Sequence, residues 1–133
     1  MLAPDSSKLR GGIFITFPGN CKKALRFYQS CFGGHLYIQT FEEKIQGYKE
    51  MPVITGSLVS DRIVIHGSDL VQNEGRKIGN YLSVFLNFDH AAERRILIEK
   101  LRPQCHTIPM QNEEGQKLIE LTDAFDVRWI LGI

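Results

Sequence analysis

Cysteine is scarce in this 133-residue chain, which has three: Cys21, Cys31 and Cys105. An odd, widely spaced set suits free thiols in a reducing compartment, not the paired framework of a small secreted scaffold. An excess of charge of one sign is missing too. Sixteen Lys and Arg face fifteen Asp and Glu, a formal charge of +1. A nucleic-acid partner calls for a basic excess or a basic stripe, and neither is visible. Long apolar runs are absent: Ile13 to Phe17, with Thr16 counted, is far below the roughly twenty residues of a bilayer-crossing helix. Met1 to Arg10 lacks the apolar core of a secretion signal. Twelve Gly and five Pro are ordinary numbers, which excludes a fibrous or low-complexity chain. These absences lead to the expectation of a cytoplasmic protein with no nucleic-acid and no membrane partner.

What is present is enough apolar material, 43% of residues, for one domain over 1–133. Gly12 to Phe17 is rich in β-branched and aromatic residues and stops at Pro18-Gly19, so it reads as a strand. Asn20 offers an N-cap oxygen to a helix over Cys21 to Phe32. Within it Ala24, Tyr28, Cys31 and Phe32 repeat at helical spacing, and Leu25 and Phe27 broaden the apolar face. Gly33-Gly34 ends the helix, since glycine adopts the left-handed C′ conformation without a Cβ clash. His35 to Phe41 reads as a second strand. Val53 to Val59 and Arg62 to His66 read as a hairpin around Ser60-Asp61.

The same grammar returns about seventy positions later. Tyr81 to Phe88 is a predicted strand, Asp89 an N-cap, and Ala91 to Leu101 a helix with Ala92, Ile96 and Leu97 inward, closed by Pro103. His106 to Met110 is a short strand. Lys117 to Thr122 and Val127 to Leu131 form a hairpin around Asp123-Ala124-Phe125-Asp126. The expected fold is α+β: one βαβββ module over 11–69, a polar linker over 70–80, and a second βαβββ module over 81–132. Two copies form two curved sheets; a solenoid needs three or more.

Phe17-Pro18-Gly19-Asn20-Cys21, Ala24-Leu25, Phe27-Tyr28 and Phe32-Gly33-Gly34 resemble the opening of PhnB-like proteins of the vicinal oxygen chelate (glyoxalase/bleomycin resistance/dioxygenase) superfamily. Leu121 to Trp129 resembles the closing strand pair, and Asn87-Phe88-Asp89 the entry to the second helix, so the likeness spans about residues 11–132. Asp126 departs from the glycine usual there, but Asp tolerates a left-handed turn position. The resemblance implies a homodimer whose curved mixed sheets surround small-molecule cavities. In metal-dependent members, His, Glu or Gln side chains on the strands hold a divalent ion that chelates neighbouring substrate oxygens. Carried over by spacing, those slots fall near Ile13, Thr55, Ser83 and Ile130. Two aliphatics, a Thr and a Ser lack the imidazole, carboxylate or thiolate donors such an ion needs. No cofactor is therefore expected, and a divalent metal only if the slot assignment is displaced.

With Ser60-Asp61 as the turn, Thr55 lies opposite His66, and both face the cavity. In the last hairpin Ile130 lies opposite Ile119 and Leu121 opposite Arg128, so these four share the cavity side while Leu118, Glu120, Val127 and Trp129 face away. The candidate ligand-binding residues are thus Thr55, Ser57, His66, Ser83 and Arg128. Arg128 would fork onto a carboxylate or phosphate; His66 would donate a hydrogen bond or act as general base. A snorkelling Arg128 and a sheet-packed His66 are the plain alternatives. His35, His90 and His106 show no metal-ligand spacing. Cys21, at a helix N-terminus, is either a reactive thiolate or a buried, inert thiol. Asp61, Asp69 and Asp123 read as turn or strand-end residues. A phosphate-binding glycine loop, a Gly-x-Ser-x-Gly elbow and the glycine-rich turn of a nucleotide-binding sheet are all missing, which argues against the methyltransferase label that PhnB-like proteins sometimes carry. Two readings follow: a metal-free small-molecule-binding protein, or a metal-dependent lyase, isomerase or dioxygenase with a displaced site that uses His66.

Overall fold

The β-branched stretch after Gly12 forms strand β1, Ile13–Phe17, in the computed structural model of the chain, which describes residues 11–42, 51–69, 76–106 and 115–133. Helix α1 follows as Cys21–Phe32, with the bounds its apolar periodicity predicts, and buries Cys21, Ala24, Leu25, Tyr28 and Cys31. The chain leaves the helix through two glycines at positive φ, Gly33 (φ 75°, ψ −160°) and Gly34 (φ 93°), the first of them extended in ψ rather than in the left-handed helical cap conformation. A Cβ on Gly34 would also stand 2.2 Å from the Val59 carbonyl oxygen, so the turn needs glycine on two counts. Strands β2 (His35–Thr40), β3 (Val53–Val59) and β4 (Val64–Asp69) complete a four-stranded sheet in the order β1-β4-β3-β2. β1 runs parallel to β4 and the other pairs are antiparallel.

α1 covers one face of this sheet. Leu58 and Ile65 are buried there as partners, and a Cβ on Gly56 would come within 2.6 Å of Leu25 Cδ1, so the small residue admits the helix. The opposite face carries Phe14, Thr16, Tyr37, Gln39, Thr55, Ser57 and His66 by alternation and pairing. Among the described residues no disulfide forms: Cys21 and Cys31 are buried thiols and Cys105 a half-buried one.

The second unit consists of β5 (Val84–Asn87), α2 (Ala91–Leu101), a 3-10 turn over Arg102–Gln104, β6 (Leu118–Thr122) and β7 (Arg128–Gly132). Its sheet has the order β5-β7-β6, with β5 parallel and β6 antiparallel to β7. Ile119, Leu121, Trp129 and Leu131 are buried together on one face. The chain divides into two compact units, Met1–Arg76 and Lys77–Ile133. Among the described residues the second unit therefore shows one strand fewer than the first.

Several expectations are corrected. The Asn20 side chain makes no capping bond, and its Oδ1 is buried without a partner among the described residues. The cap comes from Asp69 at the end of β4, whose Oδ1 accepts the N–H groups of Gly19 (3.0 Å) and Cys21 (2.9 Å) while Oδ2 accepts that of Val53 (2.8 Å). Asp69 is thus more than a strand-end residue: one carboxylate joins three segments distant in sequence. β4 starts at Val64 rather than Arg62, and β5 at Val84 rather than Tyr81. His90, not Asp89, holds the N-cap position of α2. Ala92 and Ile96 lie outward; the buried side is Arg94, Leu97, Ile98 and Leu101. Arg94 hides its guanidinium by donating to the Leu131 carbonyl at 3.3 Å. That long buried side chain interrupts the apolar pattern, which is why the periodicity selected the wrong arc. His106 is outside any strand, its N–H donating to the Thr122 carbonyl at 2.9 Å; the rest of that expected strand, 107–110, lies outside the described residues, as does most of the expected linker, 70–75.

Candidate functional site

The sequence expectation pairs Thr55 with His66, but the observed partner of His66 is Ser57. The turn is centred one residue later than expected: the Ser60 N–H donates to the Ile63 carbonyl (3.1 Å) and the Ser60 hydroxyl accepts the Ile63 N–H (3.0 Å), leaving Asp61 and Arg62 at the tip. Moving the tip by one residue slides the register by two, and an even slide preserves the face. Thr55, Ser57 and His66 therefore still share the face opposite α1.

Pairing aligns four residues in one row across the four strands. Phe14 is the partner of His66, His66 of Ser57, and Ser57 of Tyr37. At the centre Ser57 Oγ and His66 Nδ1 are 2.8 Å apart. Ser57 is 1% exposed, whereas Phe14 (55%) and Tyr37 (39%) stand out as flanking rings. Burial lowers the His66 pKa from its ordinary value, favouring the neutral ring. The first-strand slot placed near Ile13 is off by one: Ile13 is the partner of Ile65 on the helix side, and Phe14 takes the open side. Sequence reading missed Phe14 and Tyr37 as site residues, although the alternation of β1 and β2 carries the signal.

In the second unit the register slides by one, and that does change faces. Arg128 is the partner of Thr122, Glu120 of Ile130, and Leu121 of Trp129. The expected pairs Ile130 with Ile119 and Leu121 with Arg128 are not formed. Arg128 and Ile130 stay on the open face, but Ile119 and Leu121 are buried, and Glu120 and Leu118 take the open side. The cause is the turn. The Asp123 N–H donates to the Val127 carbonyl at 3.0 Å, so the loop spans three residues instead of four, with Asp126 left-handed at φ 67°. Asp123 fixes it: Oδ1 accepts the N–H groups of Phe125 (2.8 Å) and Val127 (3.1 Å), and Oδ2 accepts Trp129 Nε1–H (2.9 Å).

Arg128 is committed within its own unit, since its guanidinium donates to the Glu120 carboxylate and to the Asn80 carbonyl. Ser83 is exposed and precedes β5. The positions carried over as metal slots hold Phe14 or Ile13, Thr55, Ser83 and Ile130, none of which carries an imidazole, carboxylate or thiolate. Among the described residues no three His, Cys, Asp or Glu side chains come together. Cys21 is no reactive thiolate. Burial, with the neighbouring Asp69 carboxylate second, pushes its pKa up to about 12. No helix among the described residues is long and apolar enough to cross a membrane.

This architecture is the α+β fold of the glyoxalase/bleomycin resistance-like proteins. Protein PA1353 from Pseudomonas aeruginosa shares it with a TM-score of 0.74 over 94% of this chain and 97% of that one, at 22% identity. A PhnB protein from Bacillus cereus, bearing the label 3-demethylubiquinone-9 3-methyltransferase, matches with a TM-score of 0.72 over 93% and 98%, at 21% identity. The fosfomycin resistance protein FosX from Listeria monocytogenes matches at 0.60 over 96% and 92%, with 14% identity. Such identities establish the fold alone. No family model and no curated protein matches the sequence.

Proposed function

We propose that the chain is a small-molecule-binding protein of the glyoxalase/bleomycin resistance-like fold that holds its ligand through neutral hydrogen-bonding groups, without the divalent ion of its metal-dependent structural relatives. The observation that carries this reading is the row Phe14, His66, Ser57, Tyr37, in which two exposed rings flank a Ser–His hydrogen bond. Two rings with a neutral polar pair between them suit a flat, polar aromatic molecule, because stacking supplies area and a few polar groups set orientation. Thr55 adds a hydroxyl on the same face. Arg128, already paired with Glu120, and Ser83, outside β5, do not add to this set. The protein works as a homodimer in this reading. Support comes from the second unit, whose open sheet face carries Phe85 (56% exposed) and Leu118 (60%). A sheet face with large apolar side chains is stabilised by a covering layer.

The test is a melting series with Ni, Co, Mn, Fe and Zn beside a panel of phenols and aromatic ketones. A ligand specific for the native state at a hundred times its Kd adds about 2.7 kcal/mol. Stabilisation by the aromatic compounds, lost in His66→Gln, supports the proposal. Stoichiometric metal with a raised melting point overturns it in favour of the metal-dependent enzyme. Light scattering should give twice 15.2 kDa.

A further inference from the structure

The Ser57–His66 bond has two possible directions, and burial chooses between them. If His66 Nδ1–H donated to Ser57 Oγ, the serine proton would need another acceptor. Ser57 is 1% exposed, and among the described residues His66 is the only partner its side chain has. A buried hydroxyl proton left without an acceptor is costly. In the other direction the serine proton is used, Nδ1 is the acceptor, and the ring's own proton sits on Nε2. That nitrogen has no hydrogen-bond partner among the described residues, and His66 is only partly buried. It lies beside Gly12, at whose position a Cβ would approach it to 3.1 Å. A side chain at position 12 would crowd the Nε2 edge of the ring, and glycine avoids that.

We infer that Ser57 is a positioning residue that fixes His66 as the neutral Nε2–H tautomer, so that His66 presents a hydrogen-bond donor and the site takes a ligand with an acceptor oxygen, such as a carbonyl. This rests on the reading of the open face as a ligand site for its second half only; the tautomer belongs to the free protein. It also resolves the two roles open to His66. With Nε2 protonated and Nδ1 occupied, the ring donates and has no free lone pair to take a proton as a general base.

The first experiment is long-range proton–nitrogen correlation NMR at neutral pH on protein labelled with 15N-histidine. His66 should show a pyrrole-type Nε2 and an unprotonated, hydrogen-bonded Nδ1. Ser57→Ala should lose the hydrogen-bonded Nδ1 shift, and Ser57→Thr, which keeps a hydroxyl, should restore it. A protonated Nδ1 in the wild type, or an unchanged Nδ1 in Ser57→Ala, overturns the inference while leaving the binding proposal standing.

The second arm compares acetophenone, an acceptor, with aniline, chiefly a donor, by saturation transfer. Acetophenone should bind better, and its binding should weaken about three- to tenfold in His66→Phe, the worth of one hydrogen bond. Equal or preferred aniline binding overturns the ligand class. Failure of both probes, with the Nε2–H tautomer in place, overturns the ligand-site reading and the ligand class with it, leaving only the role of Ser57 intact.

Discussion

Ser57 and His66 face one another across β3 and β4 with Oγ and Nδ1 2.8 Å apart, and the burial around them lowers the histidine pKa. A lowered pKa means that the unfolded chain binds the proton more readily than the folded one. Stability is therefore fully present above about pH 6.5, the unperturbed imidazole value, and is lost as pH falls toward the folded value, below which the loss stops growing. Melting temperatures of wild type and His66→Gln, compared at pH 7.5 and 5.5, should show the wild type losing ground in acid. A gain in acid would mean that His66 is charged and paired in the fold.

Asp69 and Asn20 make a sharper contrast. Asp69→Ala leaves the buried amides of Cys21 and Val53, and the part-buried amide of Gly19, without their acceptor and should cost about 3 kcal/mol or more in urea unfolding. Asn20→Ala should cost less than about 1 kcal/mol, because the helix draws no side-chain cap from it and its oxygen is unsatisfied. The reverse order of costs would restore Asn20 as the cap.

That pair also shows where sequence stops being informative. Periodicity delivers the bounds of α1 because an amphipathic helix is a local object, whereas in α2 the buried Arg94 breaks the apolar pattern. A cap contributed by Asp69, forty-eight residues beyond Cys21, is not local and leaves no mark near Asn20. Turn length is the other blind spot. Placing the first hairpin tip at Ser60-Asp61 instead of Asp61-Arg62 slides the register by two, and His66 keeps its face. Counting four loop residues instead of three around Asp123 slides it by one, and Glu120 changes sides. One face assignment survived an error of turn and the other did not, for no deeper reason than parity.

The three cysteines should react in the order of their burial. Cys21, with its pKa pushed up to about 12, and the buried Cys31 should resist a disulfide reagent at pH 8, while the half-buried Cys105 reacts slowly. Cys105 is itself held above the ordinary thiol value, by burial first and the Asp123 carboxylate next, and its Sγ donates to the Leu101 carbonyl. Urea should release all three at once. For Cys21 the linkage sign is opposite to that of His66: the contribution is present below about pH 9 and lost as pH rises toward 12. Rapid labelling of Cys21 in the native protein would show that the N-terminus of α1 opens locally.

Arg128 reaches both Glu120 and the carbonyl of Asn80, and so ties the approach to β5 onto β7. Because the Glu120 side chain is 53% exposed and that of Arg128 24%, solvent screens the ion pair, and Glu120→Gln should cost no more than about 1 kcal/mol. Arg128→Ala should cost more, since it also releases the Asn80 carbonyl and the side chain's aliphatic packing. Raising salt to about 1 M, where screening reaches only some 3 Å, should shrink the Glu120→Gln effect and spare most of the Arg128→Ala effect. If instead the two variants cost the same and fade together with salt, the ion pair is the whole role of Arg128 and the bond to Asn80 contributes nothing.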